Sequence, residues 1–152
     1  MGGIVKTVTV KSNFRAEQPV SPSDREEECL LVVDDDPDVL ALLEALLLDA
    51  GFQPICVSDG DAAIDLFKAD PQRFRLVLLD VMMPVKDGFE TARELRRLLP
   101  DLALLFISGY AGRPVPADLR PGATAFLGKP FRMDALNEAI SRLLPAHANR
   151  AG

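Results

Sequence analysis

The sequence predicts an α/β fold, a doubly wound five-stranded parallel sheet with helices on both faces. Three observations carry the prediction. From residue 29 onward, short apolar or β-branched runs alternate with longer segments whose apolar positions recur at helical spacing. The short runs are continuously apolar, as strands covered on both faces are. The longer segments are bounded by Asp, Pro and Gly where helices start and stop. Strands that alternate with helices in this way form parallel sheets, because each helix carries the chain back to the edge it left.

The elements follow in order. "CLLVVD" (29–34) is the first strand, and "DPDVLALLEALLLDAG" the first helix. Asp36 serves as its N-cap, Pro37 fits its first turn, and Gly51 its C-terminal stop. "QPICVS" (53–58) is the second strand, and "DGDAAIDLFKAD" a helix with Ala63, Ile64 and Phe67 on one face. "FRLVLLD" (74–80) is the third strand, and "DGFETARELRRLL" a helix closed by Pro100. "LALLFIS" (102–108) and "ATAFLG" (123–128) are the fourth and fifth strands. The connection between them, "GYAGRPVPADLRPG", holds three prolines and three glycines, so its helix is short or distorted. "RMDALNEAISRLL" follows, with Met133, Leu136, Ile140 and Leu143 at helical spacing.

Residues 1–28 are of another kind. "GIVKTVTVKSNF" alternates enough for a strand or hairpin arm, whereas "RAEQPVSPSDREEE" is polar and reads as a linker. The expected organisation is an N-terminal extension over 1–28, part strand or part disordered, one domain over 29–145, and a tail over 146–152.

Composition narrows the function classes. A length of 152 residues suits one domain with a sizeable core, and 48% hydrophobic with 26% charged residues is that of an ordinary globular protein. A net charge of −6 without a Lys/Arg block argues against a nucleic-acid surface. Cys29 and Cys56 sit in apolar runs without metal-ligand spacing, which reads as buried free thiols in a reducing compartment. The longest apolar stretch, "VLALLEALLLDAGF", is too short to span a bilayer and carries Glu44 and Asp49. No long apolar run follows Lys6 and Lys11, so a cytoplasmic protein without membrane contact is expected.

In such sheets ligands bind at the carboxyl ends of the strands. Strand one ends at Asp34, Asp35 and Asp36, strand three at Asp80, strand four at Ser108 and Gly109, and strand five leads into Lys129 and Pro130. Each alone has a bland explanation: a helix cap for Asp36, a turn for Asp34 or Ser108, a surface position for Lys129. Together they do not. Like charges about 4 Å apart cost about 4 kcal/mol per pair at an effective dielectric near 20. A purely structural edge gains nothing from that crowding, and a divalent cation removes it. Carboxylate oxygens suit Mg²⁺ rather than zinc, and the single histidine, His147, lies in the tail.

At this point four stretches, "LVVDDDPDVL", "LVLLDVMMPVKDG", "LLFISGYAG" and "AFLGKPF", resemble in order and spacing the receiver domain of response regulators in two-component signalling, over roughly residues 29–145. The resemblance implies a flavodoxin-like strand order 2-1-3-4-5. It implies that Asp80 is the phosphoacceptor, and that Mg²⁺ is held by Asp35, by Asp34 directly or through water, by Asp80 and by the backbone carbonyl of Met82. It further implies that Lys129 pairs with Asp80 at rest and with the phosphoryl group afterwards, beside a cis Lys129–Pro130 peptide. Ser108 would donate its hydroxyl to a phosphoryl oxygen, Gly109 would leave the backbone approach open, and Pro84 and Gly88 would shape the loop after Asp80. Phe126 stands at the aromatic switch position, coupled to Ser108.

The implied activity is Mg²⁺-dependent self-phosphorylation and autodephosphorylation in a phosphorelay, with no other enzymatic reaction. The implied partners are a histidine kinase or histidine phosphotransfer protein as donor and a downstream protein as target, and a homodimer is compatible with this. The chain fits a stand-alone regulator and equally the receiver end of a hybrid histidine kinase, whose wording "FISGYAG" resembles. Met82 and Tyr110, bulky and without a strong base, lead to an expectation of slow autodephosphorylation. Leu40, Leu42, Leu43, Leu46, Leu47 and Leu48 cover more than one stripe of the first helix, either as excess core or as a contact surface. Two rivals remain. A haloacid-dehalogenase-type hydrolase needs a second Asp where Met82 stands, and a degenerate receiver that binds partners without phosphorylation has no reason to keep Asp34, Asp35, Asp80, Ser108 and Lys129.

Overall fold

A computed structural model describes residues 29–109 and 114–144. The expectations for residues 1–28, for Tyr110 and for the tail beyond residue 145 lie outside the described residues. The strands are β1 (Cys29–Val33), β2 (Gln53–Val57), β3 (Leu76–Asp80), β4 (Ala103–Ser108) and β5 (Thr124–Gly128). The helices are α1 (Pro37–Asp49), α2 (Gly60–Ala69), α3 (Gly88–Leu98) and α4 (Met133–Leu143). All pairings are parallel, in the order β2-β1-β3-β4-β5. This is the predicted flavodoxin-like topology, and the predicted elements differ from the observed ones only at their ends.

Strand residues point alternately to the two faces, and each face is covered. Leu31, Val33, Val77, Leu79, Leu104 and Phe106 pack with Ala63, Phe67, Phe89 and Leu95 of α2 and α3. Leu30, Val32, Leu76, Leu78, Leu105 and Ile107 pack with Leu43, Leu47, Leu136 and Ile140 of α1 and α4. Burial on both sides is why the strands read as unbroken apolar runs.

The starts of α1, α2 and α3 are fixed by carboxylates. Asp36 accepts a hydrogen bond from the Asp38 N–H at 2.9 Å, and Asp59 accepts one from Ala62 at 2.7 Å. Asp87 and Glu90 form a reciprocal capping box at 2.9 Å in each direction. Asp87→Ala is expected to cost about 1–2 kcal/mol, read as a lower urea midpoint at unchanged slope.

The connection from β4 to β5 contains, among its described residues, a single 3₁₀ turn at Ala117–Leu119, in line with its prolines. Arg96 of α3 fastens it. The guanidinium donates to the carbonyls of Leu102, Leu119, Pro121 and Ala123 at 2.9–3.3 Å and to the Thr124 hydroxyl at 2.7 Å. Arg93 adds an ion pair to Asp118 at 2.7 Å. The leucines of α1 divide: Leu43 and Leu47 are buried, whereas Leu42 and Leu48 are 51% and 57% exposed. Excess core therefore does not account for all of them. Cys29 is buried, but Cys56 is only half-buried, because β2 is an edge strand and lacks a neighbour on one side.

Candidate functional site

β3 lies at the centre of the sheet, so its last residue, Asp80, stands between the ends of β1 and β4. Asp34 follows β1, where its N–H donates to the Val57 carbonyl at 3.2 Å and its carboxylate accepts the Asp36 N–H at 2.9 Å. Lys129 follows β5, with its N–H donated to the Ser108 carbonyl at 2.8 Å. Its ammonium crosses the strand ends to Asp34 Oδ2 at 3.2 Å and Asp80 Oδ1 at 3.5 Å. The Lys129–Pro130 peptide is cis. Asp34, Asp80 and Ser108 are buried, and Asp35 is exposed at the mouth.

Carboxylate oxygens of Asp34, Asp35 and Asp80 lie within 4.8 Å of one another. The donor set is all oxygen, and one ammonium cannot neutralise three carboxylates, so the residues fit a hard divalent cation. The electrostatics register the crowding. Burial, then the neighbouring Asp34 charge, push the Asp80 pKa up to about 6, against the opposing pull of Lys129 and of the Met82 N–H. Burial also works against the Lys129 ammonium, but Asp34 and Asp80 outweigh it and hold its pKa above the ordinary lysine value.

The loop from Asp80 to α3 turns back onto the strand it leaves. The Gly88 N–H donates to the Val81 carbonyl at 3.0 Å, and a Cβ on Gly88 would fall 2.3 Å from the Asp80 carbonyl oxygen. Glycine is required there for space. At Gly109 a Cβ would meet only the Lys129 Cβ, at 3.8 Å, which is ordinary contact. Phe126 is 39% exposed on β5, so it is not a core residue. Met82 is half exposed beside the pocket.

Two features of this loop escaped the sequence reading. Lys86 pairs with Glu94 of α3 and reaches Asp61 of α2 at 3.7 Å, which ties the loop to both helices. Before it, the Lys86 N–H donates to the Pro84 carbonyl at 2.8 Å, closing a three-residue turn around Val85. Val85 sits at φ 70 and is fully exposed. A γ-turn with positive φ at its centre is the rarer, strained form, and the left-handed region costs a β-branched residue about 1–2 kcal/mol. A β-branched residue between Pro84 and "KDG" is the one sequence signal that could have marked it.

Comparison with known proteins gives one consistent result. The family model for the response regulator receiver domain matches residues 30–141. The response regulator receiver protein CpdR of Brucella abortus is 33% identical over 77% of this chain and 97% of its own length. The transcriptional regulatory protein CpxR of Escherichia coli is 35% identical over 76% of this chain, which spans only 48% of that relative. The response regulator TrrA of Thermotoga maritima, solved with Mg²⁺ and BeF, is similar with a TM-score of 0.68 and 30% identity, covering 77% of this chain and 99% of TrrA. TrrA in complex with the histidine kinase ThkA gives a TM-score of 0.68 at 28% identity, over 77% and 98%.

Proposed function

The chain belongs to the response regulator receiver family, and from that premise we propose that Asp80 is the carboxylate on which this signalling domain carries its phosphoryl group. The observation that carries the reading is the cluster of Asp34, Asp35 and Asp80 with Lys129 bridging two of them.

In the proposed reaction an Asp80 oxygen attacks the phosphorus of a phosphohistidine in line with the bond that breaks. The P–N bond opens, the imidazole nitrogen leaves with its electron pair, and an aspartyl phosphate forms. Asp35, Asp34, Asp80 and the Met82 carbonyl would hold Mg²⁺, which when bound offsets the repulsion between a phosphoryl group and the acidic pocket. Lys129, already attached to Asp34, exchanges its Asp80 partner for a phosphoryl oxygen. Ser108 donates its hydroxyl to another, and Gly109 leaves that approach clear. Transfer of Ser108 toward the phosphoryl group lets the exposed Phe126 ring turn inward, altering the face of β5 and α4 for a downstream protein. Met82 cannot act as a general base, which supports slow loss of the phosphoryl group, while the companion position, Tyr110, lies outside the described residues.

The complex of TrrA with a histidine kinase supports a kinase as donor. The structure of TrrA with Mg²⁺ and BeF supports Mg²⁺ as the cation. Because CpxR is named a transcriptional regulator and is about twice as long as the matched region, the acidity of this domain does not argue against nucleic acid as a partner of a longer protein. Among the described residues no helix is long and apolar enough to cross a membrane.

Incubation with acetyl phosphate and MgCl₂, followed by intact-mass analysis, is expected to show saturable addition of one phosphoryl group. The addition should vanish with EDTA or in Asp80→Asn. Uptake by the Asn variant equal to wild type would overturn the assignment. No uptake by wild type, with partner binding intact, would favour the phosphorylation-independent alternative.

A further inference from the structure

The loop from Val81 to Gly88 begins and ends on Asp80. The Met82 N–H bonds to the Asp80 carboxylate, and Gly88 presses on the Asp80 carbonyl. Val85 is the tip of this loop, at the centre of the strained turn closed by Lys86 and Pro84. Strain of this kind persists only where the surroundings enforce it. Here they do: Lys86 is gripped by Glu94 and Asp61, and Asp87 is locked in its capping box.

What the molecule lacks is a return for the strain. Val85 is fully exposed, so its side chain packs against none of the described residues. Glycine would satisfy the same backbone at no steric cost. A polar or charged residue would be better solvated. An apolar side chain held rigidly outward on the loop that follows Asp80 is suited to a contact made by whatever approaches Asp80. Asp80 is only 6% exposed, so a macromolecular donor has to bring its surface down onto the pocket rim to reach it. A small donor does not. Met82, half exposed in the same loop, extends the apolar rim.

We propose that Val85 is a specificity-determining residue, an apolar knob that seats in the protein that donates the phosphoryl group to Asp80. The proposal rests on the phosphoacceptor reading above. Holding one short, preorganised side chain outward adds selectivity without a cost in loop ordering on binding.

The test separates small from macromolecular donors. Autophosphorylated histidine kinases and phosphotransfer proteins of the source organism are ranked by transfer to the wild-type chain, and the fastest is the probe. Val85→Gly is expected to raise the melting temperature by roughly 3–5 °C, since relief of strain exceeds the added freedom of the unfolded chain. Its labelling by acetyl phosphate should stay within about twofold of wild type. Its kcat/KM with the protein donor should fall at least about tenfold, mainly through KM. Val85→Asp should behave alike with the protein donor, and Val85→Ile should retain transfer. Equal transfer from the protein donor to wild type and Val85→Gly overturns the proposal. So does a parallel loss with acetyl phosphate, or a wild-type chain labelled by acetyl phosphate that no protein donor serves. A wild-type chain that acetyl phosphate leaves unlabelled at Asp80 defeats the phosphoacceptor reading instead, and this proposal with it.

Discussion

In metal-free buffer at pH 7.5, Asp80→Asn stabilises the domain by about 3 kcal/mol while abolishing its capacity to take up a phosphoryl group. The sign follows from the direction of the shift. The Asp80 pKa rises from 3.8 to about 6 on folding, so the folded chain binds a proton more tightly than the unfolded chain does. The penalty on the carboxylate is absent below the unfolded value, grows between the two values, and is complete above about 6. The distance from 3.8 to about 6, at about 1.4 kcal/mol per pH unit, sets the size. Asn occupies nearly the same volume without the charge and escapes the penalty. At pH 5 roughly half of the advantage should remain. Urea unfolding of both proteins at the two pH values, with EDTA, measures it. MgCl₂ should then stabilise wild type and leave the variant nearly unmoved. Equal stability at pH 7.5 would mean that Asp80 feels no crowding, and the physical basis for a cation and phosphoryl site would be gone.

Gly88→Ala is expected to cost about 3 kcal/mol, although helix propensity alone would favour Ala by about 1 kcal/mol. The added Cβ would lie 2.3 Å from the Asp80 carbonyl oxygen, 2.9 Å from the Val81 Cα and 3.0 Å from the Asp80 carbonyl carbon. All three are backbone atoms, so no rotamer change relieves the clash. Either β3 or the start of α3 must shift, and Asp80 moves with it. Acetyl phosphate labelling should therefore fall at least about tenfold, because in-line attack tolerates little misplacement. Gly109→Ala is the control, since its Cβ meets only ordinary contact at 3.8 Å, and its stability should stay within about 0.5 kcal/mol of wild type. Two glycines at one pocket thus differ in kind, and denaturation curves with labelling rates report the difference. A Gly88→Ala protein as stable and as readily labelled as wild type would show that the loop has room the geometry denies it.

The sequence by itself determined the sheet, its helices and the set of residues at its carboxyl edge. Unbroken apolar runs such as "LVLLD" have one economical placement, between two covered faces, and the helices between them force the strands parallel. Parallel strands put all their carboxyl ends on one side, so Asp34, Asp80, Ser108 and Lys129 had to gather there. Local chemistry also marked the cap at Asp36.

Only the tertiary structure decided how long side chains were used and where backbone strain was stored. In "RELRRLL" the arginines are alike as sequence, yet Arg96 spends most of its donors on the β4–β5 connection and Arg93 pairs with Asp118. That choice depends on carbonyls more than twenty residues away, which no local pattern encodes. Lys129 pairs with Asp80 at 3.5 Å and also bridges to Asp34 at 3.2 Å, because β1 and β3 are neighbours in the sheet. The left-handed turn at Val85 is likewise imposed from outside, by Lys86 held between α2 and α3. Periodicity and capping act over a few residues, whereas these contacts join elements distant in the chain, and their partners exist only once the sheet has formed.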